Sequence, residues 1–317
     1  MEDKNLILAK ELLEKNEVIA IPTETVYGLA GNAYNEIAVK KIFEIKKRPF
    51  YNPLIVHIAS VERLDTVAES IPAIAYKLAE MFWPGPLTLI LKKKSLIPHW
   101  VTGGKDSVAV RVPNHPLTLQ LLNTLDFPLA APSANPFGTI SPTQADHVAN
   151  YFKNKIPLIL DGGTCKSGLE STIIGFENDQ VILYRHGAIS IEAIESITGK
   201  LISNTHQDAT PIAPGMLSKH YAPNTNTIAT SDLKKEMSLY SNRKIGVVAF
   251  KELDFEAKNC NVEVLSKNGL LEEAAKNFYA ALHRLDKENL ELIIIEQLPD
   301  YSLGKTINDR IQRAIKK

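Results

Sequence analysis

Cysteine is scarce in this chain of 317 residues. Its two copies, Cys165 and Cys260, belong to no CxxC pair and to no Cys/His spacing typical of a zinc site. The formal net charge is zero, because 36 Lys and Arg residues balance 36 Asp and Glu residues, so an overall electrostatic grip on nucleic acid is not indicated. No apolar run reaches membrane-spanning length, and the charged N-terminus lacks the apolar segment of a signal peptide. These absences predict a cytoplasmic protein in a reducing compartment.

Motifs for common cofactor and covalent chemistries are missing as well. The segment GGTCKS at 162–167 resembles a phosphate loop but lacks the glycine that Walker A places directly before its lysine. The chain contains no GxGxxG after a strand, no HExxH and no GxSxG, and its eight histidines are scattered. We therefore expect neither a dinucleotide fold, nor a metal held by the protein, nor a nucleophile elbow.

Strand and helix patterns alternate along the first two thirds of the chain, which predicts an α/β fold built on a twisted, mixed sheet. Asn114 is the predicted cap of the fourth helix, and Ser141 is the predicted start of the fifth. The predicted helices cover 5–16, 37–46, 71–82, 116–125, 141–151 and 189–198. The predicted strands cover 18–21, 54–58, 87–91, 108–113, 158–160, 173–174 and 181–184.

The composition changes at about residue 201, where Asn, Thr, Gln and Pro dominate and neither a helix nor a strand period continues. This predicts a first domain over 1–200, an interdomain linker over 201–226 and a smaller α/β domain over 227–317. In the second domain we predict strands and helices over 244–250, 262–265, 270–287, 292–296 and 306–316.

The stretch 46–57, KKRPFYNPLIVH, joins three positive charges to a short strand through a loop stiffened by two prolines. Lys46 and Arg48 lie two residues apart on an extended segment, so both side chains can face one anion. A solvated basic turn before a buried strand is the simpler interpretation of the loop taken alone. The number of other polar loops at strand ends favours the functional interpretation, in which this loop binds an anion.

Those loops are rich in hydroxyls, amides and cations, and they carry few carboxylates. In open α/β sheets, ligands bind in the crevice outside strand ends, where such loops gather. The residue types suit a small polyanion such as a nucleotide. Arg111, within a Val-Ala-Val-Arg-Val strand, is either salt-bridged or a partner for a substrate carboxylate, and His57 is either a packed histidine or a ligand-binding one.

Several ordered motifs resemble those of the YrdC-like threonylcarbamoyl-adenylate synthases. They are PTETVYGL at 22–29, KKRP at 46–49 with NPL and His57, WPGPLT at 83–88, VRVP at 110–113, APSAN at 131–135, SPT at 141–143, ESTI at 170–173 and RHG at 185–187. APGM at 213–216 and KHYAP at 219–223, with the second domain, resemble the longer branch of that family. His186 stands where many members have proline, which softens that turn and keeps Arg185.

The resemblance implies a YrdC-like twisted mixed sheet followed by a Rossmann-like C-terminal domain. It implies an L-threonylcarbamoyladenylate synthase, which makes threonylcarbamoyl-AMP and pyrophosphate from L-threonine, bicarbonate or CO2, and ATP. Such an enzyme is a nucleotidyltransferase that serves the t6A modification of tRNA position 37. Mg2+ would be held mainly by the ATP phosphates, and the linker would act as a lid over the nucleotide.

Residue roles follow from the same resemblance. Lys46 and Arg48 are the expected catalytic residues. The expected ATP-binding residues are Lys46, Arg48, Asn52, Ser107, Ser133, Asn135, Ser141, Arg185, Ser218, His220 and Tyr221. The expected L-threonine-binding residues are Thr23, Thr25, His57, Arg111, Ala131 (through its backbone) and Ser171.

The expected partners are ATP, L-threonine, bicarbonate or CO2, and the transferase machinery that passes the intermediate to tRNA, with a weak contact to RNA as a further one. Two alternatives stay open on the sequence. One is an RNA-binding module, against which the zero net charge weighs. The other is a carbamoyl-phosphate-using transferase, whose zinc and acylphosphatase-like motifs are missing from this chain.

Overall fold

The computed structural model of the protein describes residues 4–178, 180–205, 211–217, 220–257 and 260–316. It contains a ten-stranded mixed sheet in the first part of the chain and a four-stranded parallel sheet in the second. The predicted fold class, a mixed α/β sheet with a smaller α/β domain, is confirmed.

The large sheet has the strand order β1-β2-β7-β3-β6-β5-β8-β9-β10, with β4 paired to β5 outside this path. Parallel pairs (β3 with β6, β5 with β8 and β9 with β10) alternate with antiparallel ones. The strands are β1 Ile19–Ile21, β2 Gly28–Asn32, β3 Ile55–His57, β4 Ala68–Glu69, β5 Leu87–Lys93, β6 Ser107–Arg111, β7 Leu129–Ala130, β8 Thr172–Glu177, β9 Gln180–Arg185 and β10 Ile202–Ser203.

Helices cover this sheet and bury its apolar residues. Asn35 caps α2 by accepting hydrogen bonds from the N–H groups of Ile37 and Ala38. The helices are α1 Lys4–Glu14, α2 Glu36–Lys46, α3 Leu64–Val67, α4 Ala73–Phe82, α5 His99–Thr102, α6 Pro116–Asn123, α7 Ala145–Phe152 and α8 Ile191–Thr198. Because α2 ends at Lys46, it delivers the basic loop directly to the sheet.

Strand register places the predicted site residues on one face of the central strands. Ile55 of β3 and Ile90 of β5 both lie opposite Ala109 of β6, so their side chains share a face. Two residues further along the same strands, His57 lies opposite Arg111, and the period of two keeps both on that face. The polar groups therefore gather where the strands end.

The small sheet has the order β11-β14-β12-β13 and is covered on both faces, as a parallel sheet requires. Alternate residues of its strands pack against α9 on one side and against α10 and α11 on the other. The elements are β11 Thr227–Thr230, α9 Leu233–Leu239, β12 Ile245–Ala249, β13 Cys260–Val264, α10 Leu271–Leu285, β14 Leu292–Glu296 and α11 Leu303–Ala314.

Helices α10 and α11 lie between the small sheet and the first domain. One apolar cluster contains Val26 and Leu169 from the first domain together with Phe278 and Tyr279 of α10. Gly168 lets the backbone of α10 approach, since a Cβ at this position would lie 2.5 Å from the Cα of Lys276. The second domain thus packs directly against loops that carry predicted site residues.

One predicted helix cap and one predicted helix start are wrong. Helix α6 is preceded by His115, which makes no capping bond, and Asn114 instead donates its backbone N–H to Glu24 at 2.9 Å. Proline at the first position of α6 makes a side-chain cap less necessary. Helix α7 begins at Ala145 and not at Ser141, because the hydroxyl of Ser141 is drawn to the carboxylate of Glu170.

Several strands also differ from prediction. Residues 158–160 form an isolated bridge with Ala20 and no full strand. The strand β2, which begins with glycine, was not predicted, and neither were β7, β11 and α9. Within 201–226, Ile202–Ser203 adds a two-residue strand to the large sheet. The boundaries of the linker and the domains stay predictions.

Candidate active site

A small cavity of about 50 Å³ lies at the ends of β3, β6, β8 and β9. It is lined by polar loops of the first domain and by the described residues of the linker. Eleven of the predicted site residues line it: Thr23, Thr25, Arg48, His57, Arg111, Ala131, Ser133, Ser171, Arg185, His220 and Tyr221. Ser218 lies outside the described residues.

Arg111 is buried in the wall of this cavity and forms an ion pair with Glu24. Its Nη1 donates to the hydroxyl of Thr25 at 3.0 Å, and its Nε donates to the carbonyl of Gly85 at 3.1 Å. The ion pair and these two hydrogen bonds use three of the five N–H groups of a guanidinium. The salt-bridged interpretation of Arg111 is therefore correct. One N–H on Nη1 and one on Nη2 lie outside these three contacts, and this pair of donors is compatible with a ligand carboxylate.

The hydroxyl of Thr23 supports the loop from within. It donates to the carbonyl of Val26 at 2.6 Å and accepts the N–H of Thr25 at 3.1 Å. Because a hydroxyl has a single proton, the 2.8 Å contact between the two threonine hydroxyls requires Thr25 to donate. Thr23 thus orients Thr25, and Thr25 contacts Arg111.

His57 lines the cavity as a buried imidazole. The imidazole is 3% exposed, and its Nδ1 is buried with no hydrogen-bond partner among the described residues. Burial, reinforced by the charge of Arg111, lowers the pKa of His57 to about 3. The ring is therefore neutral at physiological pH and can exchange a hydrogen bond with a ligand without adding charge.

Arg48 enters the cavity from the basic loop and is held from behind by Asn52. Its Nη2 donates to Oδ1 of Asn52 at 2.6 Å and to the carbonyl of Pro53 at 2.8 Å, and its Nε donates to the carbonyl of Asn52 at 3.1 Å. Burial lowers the pKa of Arg48 to about 9, so it remains a cation at neutral pH. Asn52 does not line the cavity but fixes the side chain that does.

Lys46 lies behind the neighbouring loop and does not line the cavity. Its Nζ donates to the carbonyls of Ser133 and Asn135, and the side chain is 1% exposed. Burial and the nearby charge of Arg48 hold its pKa well below the usual range. Asn135 is buried as well and donates to the carbonyl of Thr139 at 2.9 Å. Lys46 and Asn135 thus shape the loop that carries Ser133.

Arg185 connects the two halves of the cavity. Its Nη2 donates to the carbonyl of Ser171 at 2.8 Å and to the hydroxyl of Ser171 at 3.0 Å. Its Nη1 donates to the carbonyl of Pro214 in the linker at 3.1 Å. The hydroxyl of Ser171 also contacts that of Thr88 at 2.7 Å. One arginine therefore fixes both a loop of the sheet and the linker above it.

Glu170 collects partners from both domains. Oε1 accepts from the hydroxyl of Ser141 at 2.6 Å, and both carboxylate oxygens lie 3.0 Å from the hydroxyl of Tyr279. Nε of Arg310 donates to Oε2 at 2.9 Å. Despite burial, the charges of Arg310 and Arg185 and the hydrogen bond from Ser141 keep the pKa of Glu170 below its ordinary value.

The described part of the linker closes the cavity from above. His220 and Tyr221 line it, with ring centroids 4.1 Å apart, and Nδ1 of His220 has no hydrogen-bond partner among the described residues. Gly215 has a φ of +79°, and a Cβ at this position would lie 2.8 Å from the hydroxyl of Tyr221 and 2.9 Å from Cδ of Arg185. Only glycine allows the linker to approach this closely.

Ser107 is separated from the other predicted residues. It begins β6, at the opposite end of the strand from Arg111, and lines a second cavity of about 800 Å³. Ile90 and Ile212 also line this second cavity, whereas Pro214 and Gly215 line the first. The linker segment 212–215 therefore divides one face of the sheet into two compartments.

Comparison with known proteins identifies the family. The family model described as "Telomere recombination" matches residues 11–187, and the model described as "Threonylcarbamoyl-AMP synthase, C-terminal domain" matches residues 189–315. A protein of Pyrococcus abyssi named threonylcarbamoyl-AMP synthase is 38% identical over 99% of this chain and 95% of its own length. The chain belongs to the threonylcarbamoyl-AMP synthase family.

Two further relatives extend this result. A threonylcarbamoyl-AMP synthase of Bacillus subtilis is 40% identical over 98% of this chain and 93% of its own length. The crystal structure of P. abyssi Sua5 complexed with L-threonine superposes with a TM-score of 0.91 at 38% identity, covering 98% of this chain and 94% of that one. The resemblance to threonylcarbamoyl-AMP synthases predicted from the motifs is thus confirmed.

Among the described ranges there is no group of three or more His, Cys, Asp or Glu side chains placed to hold a metal ion. In the same ranges, no helix has the length and apolar character needed to cross a membrane.

Sequence reasoning missed five residues at or beside the site: Glu170, which lines the cavity, and Thr88, Glu24, Tyr279 and Arg310 around it. Glu170, Thr88 and Glu24 lie within motifs, and their polar side chains were the available signal. Tyr279 and Arg310 come from the second domain, 109 and 140 positions away from Glu170. No local pattern links residues at that separation.

Proposed function

We propose that this protein is an L-threonylcarbamoyladenylate synthase. It forms threonylcarbamoyl-AMP and pyrophosphate from L-threonine, bicarbonate or CO2, and ATP, for the t6A modification of tRNA. The observation that carries the proposal is the cavity, which is lined by Arg111 and His57 at paired positions of β6 and β3 and by two further cations, Arg48 and Arg185. Family membership and the L-threonine complex of the P. abyssi relative support it.

L-Threonine would occupy the side formed by Arg111 and His57. The N–H fork of Arg111 suits the carboxylate, since arginine binds carboxylates through two parallel hydrogen bonds. His57 and Ser171 line the same cavity, and their side chains would be partners for the amine and the hydroxyl of the substrate. The backbone N–H of Ala131 is already bonded to the carbonyl of Ile55 at 2.9 Å, so its carbonyl is the group offered to the ligand.

ATP would lie along the sheet with its phosphates near Arg48 and Arg185. Both guanidiniums are buried, and charge in a water-poor site stabilises phosphate strongly. Ser133 lines the same cavity. The nucleoside would extend from there towards Ser107 in the second cavity. Lys46 would act through the loop of Ser133 and Asn135, whose carbonyls it holds.

This path for ATP requires the linker to move. The cavity has a volume of about 50 Å³, far below the roughly 300–1,000 Å³ typical of small-molecule sites. The segment 212–215 also separates it from the cavity lined by Ser107. We therefore propose that the linker opens to admit ATP and closes over the intermediate, protecting a labile mixed anhydride from water.

The chemistry needs positioning and charge neutralisation. The threonine amine adds to CO2 to give a carbamate and releases a proton. A carbamate oxygen then attacks the α-phosphorus, a P–O bond forms, and the bond to pyrophosphate breaks as pyrophosphate leaves. This is adenylyl transfer, which makes the enzyme a nucleotidyltransferase. With a pKa of about 3, His57 is suited to orient the substrate and not to store a proton.

Magnesium would arrive with the nucleotide. The two carboxylates beside the cavity are already engaged, Glu24 with Arg111 and Asn114, and Glu170 with Arg310 and other donors. Mg2+ generally keeps several waters and binds to substrate phosphates with one or two carboxylates at most. MgATP is therefore the proposed substrate form, and the product would pass to a transferase that acts on tRNA.

Pyrophosphate release from MgATP tests the function, with L-threonine and bicarbonate each omitted in turn. Release that requires both substrates, with threonylcarbamoyl-AMP identified by mass spectrometry, is the expected result. Release that ignores threonine, or none under any combination, would overturn the proposal. In that case a steep salt dependence of RNA affinity, measured in parallel, would favour the RNA-binding alternative.

A further inference from the structure

A negative charge lies in the wall of the cavity proposed for the triphosphate. Glu170 lines this cavity, is 6% exposed and neighbours Ser171, whose carbonyl binds Arg185. Without a positive charge beside it, the carboxylate of Glu170 would repel phosphates and partly neutralise Arg185. An anion-binding site with such a residue in its wall needs a counter-ion that is not itself aimed at the ligand.

The second domain supplies that counter-ion. Arg310 of α11 is 0% exposed, and its Nε donates to Glu170 at 2.9 Å. The rest of its guanidinium is held by the carbonyl of His186 at 2.7 Å and by Asp309. Asp309 in turn accepts from Nε of Arg313 at 3.0 Å. The guanidinium of Arg310 is therefore held in place by its two Nη groups, bonded to Asp309 and to the carbonyl of His186, with its Nε directed at Glu170.

Arg310 also contacts the linker. Its guanidinium carbon lies 4.8 Å from the centre of the Tyr221 ring, within range of a cation–π contact. The neighbouring Arg313 donates to the carbonyls of Leu217 and Thr205, at either end of the linker. One turn of α11 thus contacts both the carboxylate of Glu170 and the linker.

We propose that Arg310, in the C-terminal domain, is a positioning residue for the nucleotide. It neutralises Glu170, so that Arg48 and Arg185 present their full charge to the phosphates. The identity of the anion as ATP rests on the proposed function. The inference assigns to the second domain a role at the site that is electrostatic as well as structural.

Ser141 adds a second consequence of the same arrangement. Its one hydroxyl proton points to Glu170 at 2.6 Å, so it cannot donate to a phosphate in this position. If Ser141 turns towards ATP, Glu170 keeps the hydrogen bonds of Tyr279 and Arg310 and is not left unsatisfied. Arg310 thereby allows Ser141 to take the role predicted for it.

A charge-rescue experiment in the full chain tests the proposal. MgATP affinity is measured by titration calorimetry, and KM for ATP and for L-threonine by pyrophosphate release. R310A should weaken MgATP binding about 10- to 50-fold, because a buried carboxylate is left unpaired beside the phosphates. Adding E170Q should restore affinity to within about threefold of the wild type, while KM for threonine changes less than KM for ATP.

Controls separate charge from packing. R284A removes an ion pair with Glu263 elsewhere in the same domain and should leave both KM values unchanged. If R310A does not fold, the E170Q/R310M protein replaces the whole pair by neutral side chains, a change that buried ion pairs generally tolerate. Near wild-type MgATP affinity in that protein supports the proposal.

Three results would overturn it or separate it from the function. A folded R310A protein with unchanged MgATP affinity overturns the proposal, as does a double variant that stays as weak as R310A. A wild-type protein that binds MgATP without threonine-dependent pyrophosphate release overturns the synthase function alone, since the affinity measurements still test Arg310. A wild-type protein that does not bind MgATP overturns both.

Discussion

His147 of the first domain and His283 of the second stack face to face, with ring centroids 3.8 Å apart and an angle of 23° between their planes. Both are buried. Nδ1 of His147 accepts the N–H of Thr143 at 3.2 Å, and Nε2 of His283 donates to the carbonyl of Ser141 at 3.1 Å. Burial is the main cause that lowers the pKa of His147 to about 3 and that of His283 to about 4.

Lowering the pH should therefore decrease the free energy of unfolding at pH values above those at which carboxylates titrate. The folded-state pKa values lie below the unfolded value of about 6.5, so the unfolded state takes up protons first as the pH falls. Stability is complete above about pH 6.5 and declines down to about pH 4, by about 2 kcal/mol per histidine at pH 5. Urea denaturation at pH 7.5 and 5.0 should show a smaller loss in H283Q than in the wild type. H99Q, at an exposed histidine, is the control, and equal losses in all three proteins would contradict the prediction.

Arg111→Lys should selectively weaken the binding of L-threonine. Lysine keeps the charge but not the fork that holds Glu24, Thr25 and the carbonyl of Gly85 at once. Loss of a charged hydrogen bond of about 1.5–3 kcal/mol corresponds to about a 10- to 150-fold rise in KM for threonine. MgATP affinity should change little, and R63K at an exposed arginine serves as the control. An unchanged KM for threonine in folded R111K would refute the assignment.

Asn52 and Arg48 should act as one unit. Asn52 holds Nη2 of Arg48 at 2.6 Å and does not line the cavity. N52A should raise KM for ATP by about fivefold and R48A by more, since one loses orientation and the other loses the cation. The N52A/R48A double variant should match R48A, because without Arg48 there is nothing left to orient. Additive effects would show that Asn52 contacts the nucleotide by itself.

Gly215→Ala should damage the closed linker. The new methyl group would meet Tyr221 and Arg185 at a φ of +79°. We expect faster hydrolysis of threonylcarbamoyl-AMP on the enzyme, followed by mass spectrometry in quenched samples. Gly199 is a matched control, since its φ is +76° and no heavy atom lies within 4 Å of its virtual Cβ. G199A should cost about 1–3 kcal/mol of stability, because φ +76° with ψ −168° is a region open essentially only to glycine, without changing hydrolysis. Equal hydrolysis in both variants would count against the linker as a lid.

The sequence was most informative where function follows strand geometry. The period of two places His57 and Arg111 at equivalent positions of adjacent strands, and the motif at 170–173 brings Ser171 beside them. Their convergence follows from local patterns and from the rule that loops at strand ends share a crevice. The sequence also indicated two α/β domains, because each alternates strands and helices.

Side-chain direction could not be predicted in the same way. Lys46 and Asn52 carry the charge and the amide expected of phosphate ligands, yet both point into the protein and support other residues. Their direction depends on the carbonyls of Ser133 and Asn135 and on the guanidinium of Arg48. Ser107 was predicted beside the nucleotide and lies in a separate cavity, because the linker separates it from Arg48.

Contacts between the domains were beyond sequence reasoning for a different cause. In α10 and α11, Tyr279 and Arg310 look like ordinary members of amphipathic helices, and only packing shows that they are buried against Glu170. An arginine that is 0% exposed is stable only with complete pairing, and pairing over such a separation is decided by the assembled fold.

The apolar cluster that joins Val26 and Leu169 to Phe278 and Tyr279 has a consequence for how the protein melts. Pulling the domains apart would expose these side chains and separate Glu170 from Arg310, which would keep Asp309 as its ionic partner. Loss of structure in one domain would therefore also expose apolar surface of the other. The shared cluster should couple the unfolding of the two domains, so that each melts at a higher temperature in the full chain than it would without the other.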